Sequence, residues 1–91
     1  MSDTDIAKAG LVRIAAHFPG SECALHELAC SDPAFLDLCV EYQLALSSLA
    51  GFTARPDAAA RPEVAEYRSI IAELETEIGG WLTAAGHCRR P

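Results

Sequence analysis

The clearest pattern in the sequence is an apolar stripe in its C-terminal third. Between Pro62 and Ala85, large apolar side chains recur at alternating intervals of three and four residues, at Val64, Tyr67, Ile71, Leu74, Ile78 and Trp81. This spacing puts them along one side of an α-helix, with a period that suits packing against a second helix. Proline is favoured at the first helical position and glycine just past the last one. Pro62 and Gly86 therefore predict a helix over residues 62–85.

A second stripe predicts the partner helix over residues 33–50. Its apolar positions again have near-heptad spacing, and they are Phe35, Leu38, Cys39, Tyr42, Leu46 and Leu49. Asp32 before Pro33 predicts an N-cap followed by the first helical position, and Gly51 predicts the C-cap. The ten residues after Gly51 predict a connection with a turn of helix after Asp57.

The N-terminal third predicts two shorter helices, at about 5–17 and 21–30. Apolar residues at helical spacing indicate the first helix, the Pro19-Gly20 pair ends it, and Ser21 caps the second. We therefore predict an all-α fold, an antiparallel coiled-coil-like hairpin with an N-terminal helical segment packed over its open end.

The predicted helix lengths make the last helix overhang its partner by about two turns. Trp81 and Leu82 lie in that overhang. We expect the N-terminal helices to cover them, through Phe18, Leu25 and Leu28.

Composition narrows the class of protein. Ninety-one residues predict one small domain, and the net charge of −6 argues against nucleic-acid binding, which requires clustered Lys and Arg. The longest uncharged run, residues 42–54, is too short to span a bilayer. Asp3 and Asp5 do not fit a signal peptide. One lysine against six arginines, with no asparagine, is typical of a GC-rich genome. We expect a cytoplasmic bacterial protein with reduced thiols.

The stretch FLDLCVEY at 35–42 resembles the first helix of the YdcH-like family, small bacterial helical-hairpin proteins of unknown function. The residues that match that family's usual pattern are Phe35, Leu38, Cys39, Glu41 and Tyr42. The stretch ELETEI at 73–78 resembles the family's closing helix, and the similarity covers residues 18–82. The family's second helix is lysine-rich, whereas here it is acidic, and the first predicted helix lies outside the family pattern. The resemblance implies the hairpin and no chemistry.

Cysteine and histidine raise the alternative of a transition-metal site. Cys23, His26 and Cys30 fall at i, i+3 and i+7, on one face of the second helix, and the hairpin would bring His87 and Cys88 to the same end. Structural zinc sites, however, usually contain two cysteines separated by two to four residues, and this sequence has no such pair. We predict no metal and no cofactor, with these residues as the candidates for the alternative.

The other cysteine chemistries are less favoured. Cα atoms seven residues apart in a helix are about 10 Å apart, too far for a disulfide between Cys23 and Cys30. Cys39 lies in the apolar stripe and is expected in the core. A helical hairpin offers little of the concave pocket that catalysis needs. We predict that the protein is not an enzyme.

The last helix also carries an acidic run. Glu73 and Glu77 form a like-charge i, i+4 pair, as do Asp37 and Glu41. Such a surface either keeps the chain solvated or docks a basic protein partner.

Two helices cannot enclose their own stripes, so we also expect a homodimer. Ile71 and Leu74 are predicted near the centre of its interface, with Ile78 and Trp81 beside them. The predicted function is a non-enzymatic, self-associating protein–protein interaction module, and the alternative is a Cys/His metal-binding or thiol-sensing protein.

Overall fold

The computed structural model describes residues 3–85 and is helical in all its regular elements. The helices are α1 (Asp3–His17), α2 (Glu22–Ser31), α3 (Pro33–Thr53) and α4 (Pro62–Ala85), with a 3₁₀ turn at Ala58–Ala60. No strand occurs in this part of the chain. The predicted all-α class is confirmed.

The helix ends follow the local cap signals with two exceptions, at Ser21 and Gly51. Ser21 precedes α2, but its side chain makes no capping hydrogen bond. The Asp32 side chain accepts a hydrogen bond of 3.0 Å from the Ala34 N–H, as predicted for the N-cap of α3. The predicted C-cap at Gly51 is wrong, because α3 continues to Thr53. The extra turn lets the Phe52 ring stack on α4, so tertiary packing overrides the glycine signal. The predicted cap at Gly86 lies outside the described residues.

Three contacts fix α3 and α4 as an antiparallel hairpin. The Phe35 and Trp81 rings meet edge to face at 5.5 Å, and the Phe52 and Tyr67 rings stack at 5.6 Å. Between them, the Tyr42 hydroxyl donates a 2.8 Å hydrogen bond to Glu75. The predicted overhang is therefore wrong for Trp81. It lies opposite Phe35 near the start of α3, because α3 is longer than predicted and pairs with α4 along its length.

Helix α3 is the centre of the fold, since the two most extensive helix pairings are those of α1 and of α4 with α3. Helix α1 crosses α3 at Gly10, whose Cα lies against the Cys39 carbonyl group. A side chain at this position would hold the two helices apart, so glycine permits the close crossing. Helix α1 therefore packs along α3 and does not merely cover the end of the hairpin.

The N-terminal segment was predicted to pack over the end of α4, and part of this packing is present. A methyl group at Gly79 would lie 3.9 Å from the Phe18 ring, which places Phe18 against α4. Helix α2 contacts both α3 and α4, and its Leu25 is fully buried. The resulting core unites residues of all four helices, among which Ile14, Leu25, Phe35, Cys39 and Ile78 are the largest fully buried side chains.

Candidate interaction surface

The hairpin exposes large apolar side chains on a shallow depression of about 280 Å³. Leu44 of α3 is 51% exposed and Ile70 of α4 is 43% exposed, and both line it. The rest of the lining is Glu41, Ala45, Ser48, Tyr67 and Leu74. An exposed apolar patch framed by polar residues is typical of a binding surface.

Helical periodicity places acidic residues around this depression. On α4, the residues at intervals of four, three and four share one strip, which consists of Glu66, Ile70, Glu73 and Glu77. On α3 the equivalent strip consists of Asp37, Glu41, Leu44 and Ser48. Leu44 and Ile70 line the same depression, so the two strips form one surface, which we call the α3–α4 face.

The α3–α4 face is strongly negative. Its two strips contain five exposed carboxylates and no lysine or arginine. Arg61 pairs with Asp57 and Glu63, and Glu75 lies near His17, so none of these contacts involves a carboxylate of the face. The five carboxylates therefore project a negative potential around an apolar centre.

The apolar residues predicted at a dimer interface are buried or half-buried within a single chain. Ile71 and Leu74 are each 8% exposed and Ile78 is fully buried, so these side chains pack inside one chain. Trp81 is half-buried against Phe35. Ile71 and Leu74 therefore offer little surface to the interface predicted there, because α2 and α3 both pack on α4. Glu73 and Glu77 are exposed as expected.

Leu44 and Ile70 were not predicted as interaction residues. The sequence did contain a feature that could have identified them, because both are large apolar residues outside the two stripes. Ile70 is also flanked at helical spacing by Glu66 and Glu73, and Leu44 follows Glu41 by three residues. The stripe period alone does not distinguish them from scattered surface residues.

Unlike the neighbouring glutamates, Glu75 contacts side chains of other helices. Its Oε2 accepts the hydrogen bond from the Tyr42 hydroxyl, and its Oε1 lies 3.6 Å from His17 Nε2. This junction links α1, α3 and α4. Burial raises the pKa of Tyr42, and the Glu75 hydrogen bond and charge raise it further. Glu75 therefore joins helices together and is not part of the α3–α4 face.

The structure brings two of the three metal-ligand candidates together. His26 Nε2 lies 3.7 Å from Cys30 Sγ, whereas Cys23 is exposed elsewhere on α2. No group of three or more metal-type ligands occurs among residues 3–85, and His87 and Cys88 lie outside that range. The expected absence of metal stays a prediction.

Cys39 is a core residue, as the apolar pattern predicted. Its side chain is fully buried, and burial raises the pKa of its thiol to about 11. A thiol of this kind stays protonated and inert near neutral pH.

Comparisons with protein-family models, curated proteins and solved structures found no match to this chain. The resemblance to the YdcH-like family therefore stays a prediction. Between residues 3 and 85, no helix combines the length and apolar character needed to cross a membrane.

Proposed function

We propose that the chain is a non-enzymatic protein–protein interaction module. Its α3–α4 face would bind a basic amphipathic helix of a partner protein. The observation that supports this proposal is the exposure of Leu44 and Ile70 at the centre of five carboxylates without ion pairs. An amphipathic helix docks by placing its apolar side in such a groove. Lysines and arginines flanking that side would then meet the carboxylates.

Charge favours a basic partner over a second copy of the chain at this face. Most homodimers are two-fold symmetric, so the same patch occurs on both sides of the interface. Pairing two α3–α4 faces would bring ten carboxylates together with no cation from either strip. Like charges facing each other across an interface cost several kcal/mol. The homodimer predicted from sequence stays a prediction, and it is an outcome of the same experiment.

The test uses a synthetic, fluorescently labelled amphipathic helix of about five turns. One peptide has a leucine side flanked by lysines, and its control replaces every lysine by glutamate. Anisotropy titrations with the full chain should show binding of the lysine peptide only. The affinity should fall as salt concentration rises, because screening weakens attraction between exposed charges.

Two neighbouring isoleucines provide matched variants. Ile70 is 43% exposed, so Ile70→Asp should keep the helical spectrum and weaken peptide binding. Losing one buried isoleucine side chain costs about 1.5–3 kcal/mol, or roughly 10- to 100-fold in affinity. Ile71 is 8% exposed, so Ile71→Asp should instead unfold the chain. Val12→Asp, at a 70% exposed position on α1, is the control that should bind normally.

Equal binding of the lysine and glutamate peptides would contradict the charge argument. Unchanged binding by folded Ile70→Asp would contradict the location. Sedimentation equilibrium provides the comparison with self-association. A dimer that Ile70→Asp dissociates would assign this face to a second copy of the chain and refute the proposed basic partner.

A further inference from the structure

A larger groove lies between α1, α2 and α3, and Asp37 is the one lining residue that it shares with the α3–α4 face. Its volume is about 500 Å³, which falls in the range of about 300–1,000 Å³ typical of small-molecule sites. Its walls are predominantly apolar, formed by Ala7, Leu11, Ala29, Pro33, Leu36 and Val40. Leu36 is 38% exposed, so part of this apolar wall is open to solvent. The groove has the size and surface to hold a flexible hydrocarbon chain.

A nucleophilic side chain lies at the edge of this groove. Cys30 lines it together with His26, and the two residues are one turn apart on α2. The Cys30 Sγ lies 3.7 Å from His26 Nε2, which is within hydrogen-bond distance for a sulfur atom. A thiol beside a histidine is the arrangement by which a base activates a sulfur nucleophile.

Neither of the other described cysteines lines this groove. Cys23 is exposed on the same helix but does not line the groove. Cys39 is fully buried. Within residues 3–85, Cys30 is thus the cysteine that combines an accessible thiol with an apolar volume beside it.

We propose that this groove binds the hydrocarbon chain of a long-chain acyl thioester and that Cys30 accepts the acyl group. The Cys30 sulfur attacks the thioester carbonyl carbon, and a new carbon–sulfur bond forms as the bond to the donor's sulfur breaks. The proton of the Cys30 thiol passes to the His26 ring and from there to the departing thiolate. One thioester replaces another, so no oxidant or reductant is needed. The product has its acyl chain in the groove.

The experiment compares two acyl donors of different chain length on the full-length protein. Dodecanoyl-coenzyme A and acetyl-coenzyme A are each incubated with the chain near neutral pH. Intact mass gives the rate, and peptide mapping identifies the acylated cysteine. Cys30 should react at least about tenfold faster with the dodecanoyl donor, and Cys23 should show no chain-length preference. Cys30→Ser should abolish the fast reaction, whereas Cys23→Ser should leave it unchanged.

Two further variants separate chain binding from thiol activation. Leu36→Glu puts a carboxylate into the groove wall at a partly exposed position, so the fold should survive and the chain-length preference should disappear. His26→Ala should slow both donors at least about tenfold while retaining the preference. Circular dichroism verifies that each variant is folded. Equal acylation of Cys23 and Cys30, equal rates for both donors, or a preference unaffected by Leu36→Glu would overturn the proposal.

Discussion

A methyl group added at Gly10 would collide with the backbone of α3. In Gly10→Ala, the new Cβ would overlap the Cys39 carbonyl oxygen and lie 3.0 Å from its carbon and 3.3 Å from the Gln43 Cβ. A flexible side chain could rotate away from such a contact, but a helical carbonyl group cannot. Helix α1 must therefore shift away from α3, and this shift loosens the packing of the fully buried Ile14.

The expected cost follows from two destabilising terms and one stabilising term. Overpacking of this kind typically costs about 1–3 kcal/mol, and partial exposure of Ile14 adds a fraction of its roughly 1.5–3 kcal/mol of burial. The better helix propensity of alanine returns at most about 1 kcal/mol. We expect the free energy of unfolding to fall by about 1–3 kcal/mol. In a domain of this size, each kcal/mol lowers the Tm by roughly 4–8 °C.

The chain supplies its own controls for this prediction. Gly51 and Gly80 are also helical, and nothing lies within 4 Å of a Cβ built on either one. Alanine at each of them should therefore stabilise the chain by about 0.5–1 kcal/mol. Urea unfolding followed by circular dichroism measures all three variants. A Gly10→Ala chain as stable as the two controls would refute the close crossing of α1 and α3.

The remaining predictions concern Tyr42 and Cys39, the buried titratable residues between positions 3 and 85. Tyr42→Phe removes the hydrogen-bond donor to Glu75 and should cost about 1–2 kcal/mol in urea unfolding; wild-type stability would contradict a structural role for that bond. Burial raises the pKa of Cys39 from 9.0 to about 11, so between these values the unfolded chain releases a proton that the folded chain keeps. The free energy of unfolding should therefore fall as pH rises through this window. Cys39→Ala should reduce that fall, and an identical pH profile would contradict the assignment.

Sequence by itself determined the helices. Backbone hydrogen bonds within a helix are local, so apolar period and cap chemistry suffice to locate one. Pro62 begins α4 and Asp32 caps α3 as their residue types predicted. The antiparallel pairing of α3 and α4 also followed, because two matched stripes joined by a short connection have few other ways to bury themselves.

Tertiary structure decided where each helix ends and which apolar residues remain exposed. Helix α3 passes Gly51 because Phe52 gains a ring contact on Tyr67, which lies 15 residues further along the chain. The period of an apolar stripe shows which side of a helix faces the core. It does not show how much of that side is buried, because this depends on the helices packed beside it. Ile71 and Leu74 are enclosed in the core that the four helices share, whereas Leu44 and Ile70, on the α3–α4 face, remain exposed.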